Sequence, residues 1–245
     1  MLEIGLIDDY LDNMYFEVNG GFESNIFVSE CDTLTKLFKF YMPERIIIKK
    51  ERILIALEFS KISEKFKIIP TIFQLLYRKD GQFTGYLMES VPGKKLNEFC
   101  EDISLADVLF LFKNLQSTLK IIHDNGFCLT DFNPENILVS QKAAMIRLVD
   151  IDSFCLMGDS TKNIFCNYKY FCPYSKTIDI KYNIYSFYCL FIDILFKVNR
   201  KDNRKKEIIK KITDEPLLPE SIKEKLLYFV SIRNKKGLLK LEYLF

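Results

Sequence analysis

The stretch from Asp131 to Asp152 decides the fold. It reads Asp131-Phe-Asn-Pro-Glu-Asn136-Ile-Leu-Val and, after a short polar turn, Arg147-Leu-Val-Asp150-Ile-Asp152. The proline stiffens a loop that carries an acid and an amide, and Asp150 comes where a buried apolar strand would end and release its carboxylate into a cleft. One carboxylate can orient an attacking hydroxyl, while the amide oxygen and the second carboxylate are hard oxygen ligands for Mg²⁺. The stretch therefore predicts metal-assisted phosphoryl transfer.

The pattern Asp-x-x-x-x-Asn followed by Asp-Ile-Asp resembles the catalytic loop and the metal-binding Asp-Phe-Gly element of the protein kinase superfamily. The segment from Asn136 to Asp150 fits the short strand, turn and strand that connect these elements in that family. The resemblance covers residues 14–230 and is strongest to atypical bacterial-type serine/threonine kinases. It implies an α+β, bilobal fold with a small β-rich N-lobe that has one helix, and a mainly helical, abbreviated C-lobe.

The same resemblance implies the cofactors and several site residues. ATP would be the phosphoryl donor and Mg²⁺ the metal ion. Asp131 would accept the proton of the substrate hydroxyl, and Asn136 and Asp150 would hold the metal. Asp152 stands where the family has the glycine of Asp-Phe-Gly, and its part in metal binding is left open.

A lysine is also expected near the nucleotide phosphates. Lys36 lies on an alternating strand with Leu34 and Phe38 pointing the same way, so its ammonium emerges from an apolar face. In the resembling family the lysine of this strand holds the α and β phosphates, as a compact charge suits. Lys36 is therefore predicted as this lysine, and Lys39, which points the opposite way, is its rival.

That lysine requires an acid on the following helix. Glu44, Glu51 and Glu58 recur every seven residues, nearly on one face of the predicted helix. We predict that the central one, Glu51, orients Lys36 as a further catalytic residue.

Two further segments resemble nucleotide-binding elements. Gly20 and Gly21, between two strand patterns, resemble a truncated glycine-rich loop whose backbone amides approach phosphates, and a plain hairpin turn is the equal alternative. The residues around Met88 resemble the hinge between the lobes. Met88 would lie at the back of the adenine pocket, and the backbone of Glu89 and Val91 would pair with the adenine edge.

The chain as a whole suggests one kinase-like domain, with residues 1–89 as the N-lobe and residues 90–245 as the C-lobe. A long amphipathic helix is predicted from Ser104, a favourable cap, to Asn125. The other elements are antiparallel strands within 14–40, a helix over 44–61, a hairpin over 69–88, and helices over 183–197, 205–212 and 221–230.

Composition restricts the partners and the compartment. The chain has 245 residues, a net charge of +2 and an apolar share of 49%, without the basic excess of a nucleic-acid-binding protein. Its 7 cysteines form no Cys-x-x-Cys pair, which favours reduced thiols in a cytoplasmic protein. The N-terminal residues lack the pattern of a secretory signal, and the apolar run from Tyr185 to Phe196 is too short to cross a bilayer. We therefore expect no membrane partner and no nucleic-acid partner.

Several positions depart from the protein kinase pattern. Leu129-Thr130 precedes Asp131 in place of His-Arg, Asn133 stands where many members have a catalytic lysine, and Asn183 stands where an aspartate is common. The predicted activity is transfer of the ATP γ-phosphate to a hydroxyl of a protein or a small molecule. Serine/threonine protein kinase activity is the first reading, and a pseudokinase acting as a regulatory module and an aminoglycoside- or choline-type kinase remain as alternatives.

Overall fold

The protein divides into two compact units. The computed structural model describes residues 3–6, 16–20, 24–29, 36–42, 45–63, 66–140, 145–161, 166–197 and 205–245. The first unit contains Met1–Pro92 and Arg147–Asp152, and the second contains Gly93–Ile146 and Ser153–Phe245. The first unit thus ends at Pro92, where the sequence predicts a division at Glu89, and it also contains Asp150 and Asp152, which bind lysines of that unit.

A mixed sheet forms the first unit. Strands rich in aromatic and β-branched residues build it, as strand propensity favours. Its strands are β1 (Glu3–Leu6), β2 (Phe16–Gly20), β3 (Ser24–Ser29), β4 (Lys36–Tyr41), β5 (Ile72–Tyr77) and β6 (Phe83–Glu89). Their spatial order is β1-β5-β6-β4-β3-β2, with β1 parallel to β5 and the other neighbouring pairs antiparallel. The predicted antiparallel strands are present, and β1 is an addition that the sequence pattern did not predict.

One helix, α1 (Ile46–Ser63), packs against β6. Its buried stripe consists of Ile46, Lys49, Ile53, Ala56 and Phe59. These residues recur at intervals of three or four, the spacing of one helix face. Lys49 thus occupies a position where the spacing of the buried helix face favours an apolar side chain.

The second unit is mainly helical. Its helices are α2 (Leu96–Phe99), α3 (Leu105–Asp124), α4 (Ile180–Phe196), α5 (Lys205–Asp214), α6 (Glu220–Ser231) and α7 (Lys235–Leu239). The predicted cap of α3 is confirmed, since the Ser104 side chain accepts a hydrogen bond from the Asp107 N–H at 3.2 Å. The Phe112 ring of α3 packs edge-on against Phe187 and Phe191 of α4, which joins the two longest helices of the unit.

Short strands frame the loops of the second unit. They are β7 (Lys94–Lys95), β8 (Phe127–Leu129), β9 (Ile137–Val139), β10 (Ile146–Leu148), which continues into the first unit, and β11 (Phe154–Leu156). β7 pairs with β9 and β8 pairs with β11, both antiparallel. The predicted α+β class, a β-rich N-terminal part followed by a helical C-terminal part, is confirmed. Among the described residues, none of the helices has both the length and the apolar character to cross a membrane.

Candidate active site

The two faces of β4 have different surroundings. On one face, Phe38 is buried in a cluster with Leu76 and Leu87, against which partly buried aromatic rings such as Phe73 pack. The Lys36 Nζ lies 5.6 Å from the centroid of the Phe73 ring on this face. Side chains alternate along a strand, so Lys39 lies on the opposite face.

Lys39 is the lysine that meets the acids. Its Nζ lies 2.6 Å from Asp150 Oδ1 and 2.9 Å from Asp152 Oδ1, and its side chain is 8% exposed. Burial alone would lower the pKa of Lys39, but the two carboxylates outweigh burial and hold this pKa well above its usual value. The ammonium is therefore charged at neutral pH.

A glycine lets β4 approach its neighbouring strand at this point. A Cβ added to Gly85 of β6 would lie only 1.9 Å from the Lys39 carbonyl oxygen. Since that atom belongs to the backbone, a side chain at this position would force the two strands apart. Gly85 thus fixes the strand that carries Lys39.

The two aspartates have opposite pKa shifts. Burial and the charge of Asp152 raise the pKa of Asp150 to about 7, although Lys39 partly offsets this. Burial would also raise the pKa of Asp152, but the positive charge of Lys39, and then Lys49, holds it well below its usual value. Asp152 is therefore the carboxylate of the pair that is ionised at neutral pH.

Lys49 completes this group of charges. Its Nζ lies 2.9 Å from Asp152 Oδ2, and its side chain is 8% exposed while that of Asp152 is 1% exposed. We call Lys39, Lys49, Asp150 and Asp152 the charge cluster. Sequence reasoning missed Lys49 because a lysine was not counted as part of the apolar stripe of α1, although its spacing from Ile46 and Ile53 was the available signal.

The sequence predicts that Glu51 pairs with Lys36, but the structure does not form this pair. Lys36 lies beside Phe73, and Glu51 is on the exposed face of α1. The face shared by Lys36 and Phe38 is apolar because it packs into its own aromatic cluster, not because it lines a cleft. The predicted choice of strand face is therefore wrong, and the rival residue Lys39 lies beside Asp150.

The predicted hinge residues lie at the end of β6. Met88 is buried within the sheet, between Leu37 of β4 and Ile72 of β5. The Glu89 N–H donates to the Thr71 carbonyl at 2.9 Å, and Val91 is half-buried beyond the strand. Of the two predicted loop glycines, Gly20 ends β2, whereas Gly21 lies outside the described residues.

The loop that carries Asp131 lies in the second unit. Its proline begins a short 3₁₀ helix (Pro134–Asn136), and the Asn133 side chain caps it by accepting from the Glu135 N–H at 2.9 Å. The Asn136 Nδ2 donates to the Asp131 carbonyl at 3.2 Å and to Asp131 Oδ2 at 3.3 Å. The sequence pair Asp131 and Asn136 is thus brought together.

A second donor holds the other carboxylate oxygen. The backbone N–H of Asn167 donates to Asp131 Oδ1 at 2.9 Å. Asp131 is therefore oriented from both sides, by the amide of its own loop and by the segment that precedes α4. Sequence reasoning missed Asn167 because a backbone donor leaves no side-chain signature.

Asn183 anchors the chain just before this loop. Its Oδ1 accepts from the Leu129 N–H at 2.9 Å, and its Nδ2 donates to the Leu129 carbonyl at 2.6 Å. His123 lies 3.1 Å from the same Oδ1 through Nε2 and 2.6 Å from the Tyr243 hydroxyl through Nδ1. Burial lowers the pKa of His123, so the ring is a neutral, satisfied member of the core.

The donor atoms suit a magnesium ion in type. Asp150 offers a carboxylate that is 23% exposed and whose Oδ1 binds Lys39, so it remains accessible to a cation. Because Asn136 donates through its nitrogen, its amide oxygen is the atom left for a cation. Oxygen-only ligands of this kind are those that Mg²⁺ prefers. The Asp152 carboxylate, by contrast, binds a lysine at each oxygen and is nearly inaccessible.

Known proteins resemble this chain in sequence and in fold. The model of the protein kinase domain family matches residues 39–235, which begin at Lys39 and include the loop and both aspartates. The chain belongs to the protein kinase domain family. This kinase domain has the protein kinase fold, since it resembles the PK-1 kinase of Cydia pomonella granulovirus with a TM-score of 0.69, at 11% sequence identity, over 98% of this chain and 97% of that chain.

A bacterial sequence relative is also known for this kinase domain. It is 25% identical over 137 residues to the serine/threonine-protein kinase YabT of Bacillus subtilis (strain 168). The match covers 54% of this chain and 40% of the relative, so the chain spans well under two thirds of that protein.

Proposed function

We propose that the protein is an ATP- and Mg²⁺-dependent phosphotransferase of the serine/threonine protein kinase type. The observation that carries this proposal is the buried ion pair between Lys39 and Asp150, 2.6 Å apart on adjacent parts of the first unit. Membership of the protein kinase domain family supports it. The acceptor would be a hydroxyl on a protein or a small molecule.

Lys39 has the properties of a phosphate-positioning residue. It is compact, charged at neutral pH and fixed by two carboxylates, so it can bind the α and β phosphates without a change of protonation. Asp150 and Asn136 would hold Mg²⁺, which supplies charge neutralisation of the nucleotide phosphates when bound.

Asp131 would act on the acceptor. Its carboxylate can accept the hydroxyl proton as the phosphoryl group is transferred, and the Asn136 amide and the Asn167 N–H hold it in one orientation. Because catalysis of this kind depends mainly on positioning, the fixed orientation is the main contribution of these two donors.

The remaining sequence-predicted residues keep their proposed roles in nucleotide binding. Met88 would contact adenine, the backbone of Glu89 and Val91 would pair with the adenine edge, and Gly20 and Gly21 would approach the phosphates. The proposed compartment is the cytoplasm, which the free thiols of the described cysteines favour.

Transfer of labelled phosphate from ATP with Mg²⁺ tests the proposal. The wild type should phosphorylate a protein acceptor or itself, and small hydroxyl acceptors of the aminoglycoside and choline type are run in parallel. Asp131→Asn should lower kcat by about a thousandfold, since it removes the proton acceptor. Asp150→Asn should abolish Mg²⁺-dependent transfer. Asp102→Asn, on an exposed turn, is the matched control and should have no effect.

A nucleotide-binding module without transferase activity is the second candidate. The contact of the Asn167 N–H with Asp131 Oδ1 favours it, because the chain itself occupies one oxygen of the proposed base. Nucleotide binding without transfer to any acceptor would support this candidate. Both candidates would be contradicted if ATP did not stabilise the protein and the protein did not turn over ATP.

A further inference from the structure

We propose that Lys49 and Asp152 form a positioning pair for Lys39, in which the helix supplies the cation and the end of the strand supplies the acid. The inference rests on the proposed function, because it assigns these residues a role in nucleotide-dependent transfer. It reverses the charge arrangement expected from the sequence, in which an acid of the helix binds the strand lysine.

Lys49 is a charged residue at a buried position of α1. Its neighbours along the buried stripe of α1 are apolar, and its side chain is 8% exposed. Burying an ammonium is costly unless it is paired and hydrogen-bonded. At 2.9 Å, Asp152 Oδ2 provides the ionic partner. The carboxylate of Asp152 gives a reason for a lysine at a position where the helix spacing favours an apolar residue.

Asp152 joins α1 to β4. Its Oδ2 binds Lys49 of the helix and its Oδ1 binds Lys39 of the strand, so one carboxylate holds two elements. The charges of the two lysines and two aspartates balance when Asp150 is ionised. Both oxygens of Asp152 are engaged and the side chain is 1% exposed, so Asp152 acts as a counter-ion while the more exposed Asp150 is the residue that can meet a metal.

The acids of α1 do not take this role. The carboxylates of the helix belong to Glu51 and Glu58, and both are exposed. Glu58 pairs with Lys61 on the surface at 2.7 Å. The acid that fixes Lys39 therefore comes from Asp152, and Lys49 is what connects α1 to it.

A positioning role differs from simple compensation of buried charge. If Lys49 and Asp152 only neutralise each other, replacing both with neutral residues leaves a balanced pair of Lys39 and Asp150. Stability and kcat/KM are then both restored. If Asp152 also positions Lys39, removing both restores the stability of the fold but leaves Lys39 with one anchor. A displacement of Lys39 by up to about 1 Å then lowers kcat/KM.

A double-mutant cycle separates these outcomes. Lys49→Met, Asp152→Asn and the double variant are compared for unfolding temperature without nucleotide, and for KM of ATP and kcat. Each single variant should lose stability and lower kcat/KM by about tenfold or more. The double variant should regain stability but not kcat/KM. Lys49→Arg keeps the charge and should stay near wild type.

Lys50→Met is the matched control. Lys50 is the next residue of the helix, and its Nζ lies 5.2 Å from the centroid of the Tyr77 ring, away from the cluster. This variant should leave KM and kcat unchanged. The proposal is overturned if the double variant regains kcat/KM together with stability, or if Lys49→Met transfers phosphate at the wild-type rate.

Failure of the proposed function has a different signature. A wild type that neither binds nor turns over ATP removes the function and the positioning role together. An active wild type with an unaffected Lys49→Met variant removes only the positioning role. Wild type and Lys39→Met are therefore assayed in the same series.

Discussion

Two groups of candidate functional residues, one in each unit, are held by different forces. In the first unit, Lys39, Lys49, Asp150 and Asp152 hold one another through charge, with little access to solvent. In the second unit, Asp131 is held by neutral amide donors. The first arrangement depends on charge balance and the second on backbone geometry. The two groups of residues should therefore respond differently to substitution.

Asn183→Ala should produce the largest loss of stability in the second unit. It removes both hydrogen bonds to Leu129 and leaves a buried N–H and a buried carbonyl without partners. Each such group costs about 1–3 kcal/mol, so a loss of about 3 kcal/mol in the free energy of unfolding is expected. Denaturant unfolding measures it.

Asn125→Ala is the control for this prediction. Asn125 is exposed at the end of α3 and donates one hydrogen bond to the Ile121 carbonyl. Its loss should stay within about 0.5 kcal/mol. Equal losses for Asn125→Ala and Asn183→Ala would mean that backbone anchoring does not hold the Asp131 loop.

Gly85→Ala should disturb the first unit. The added Cβ would meet the Lys39 carbonyl at 1.9 Å, so β4 and β6 must separate and Lys39 must shift. Overpacking of this kind costs about 1–3 kcal/mol, and we expect ATP affinity to fall as well. Thermal unfolding with and without ATP measures both effects.

Gly237→Ala is the matched glycine control. Its added Cβ would lie 3.4 Å from the nearest side-chain atom, an ordinary contact. Because alanine is the better helix former, this variant should be neutral or slightly stabilised. A Gly85→Ala variant that is as stable as Gly237→Ala would show that the close approach at Lys39 is not required.

The smallest expected effect is a pH dependence from His123, the only histidine of the chain. Burial lowers its pKa in the folded protein, so the unfolded chain binds a proton first as the pH falls. Stability should be full above about pH 6.5 and decrease below it, by at most about 1.4 kcal/mol per pH unit.

The difference between the wild type and His123→Gln isolates this contribution. Burial raises the pKa of Asp150 to about 7, so the contribution of Asp150 to stability increases as the pH falls, opposite to that of His123. Because Asp150 is present in both proteins, its contribution cancels in the difference. A slope below pH 6.5 that is the same in both proteins would contradict the assignment to His123.

The comparison also shows what the amino-acid sequence can predict. Asp131 and Asn136 were found because they are five residues apart in one stiff loop, and β2 to β6 and α3 followed from periodicity and capping. The charge cluster was not found. Lys39 and Asp150 are 111 residues apart in the chain, and alternation along β4 could not decide which face met the acids. Lys49 lies at helix spacing from Ile46 and Ile53, but the acid that it meets, Asp152, is distant in the chain, so the local pattern alone did not reveal its partner.

The most direct test compares Lys39→Met with Lys36→Met, two lysines on opposite faces of the same strand. Stabilisation by ATP and Mg²⁺ and phosphate transfer are measured for both, together with Lys39→Arg, which keeps the charge of the buried cluster. The account predicts that Lys39→Met lowers kcat/KM by about a hundredfold or more and that Lys39→Arg folds but is impaired, because a guanidinium is not a compact charge. Lys36→Met should bind ATP and transfer phosphate as the wild type does. Loss of activity in Lys36→Met with an active Lys39→Met would contradict the account.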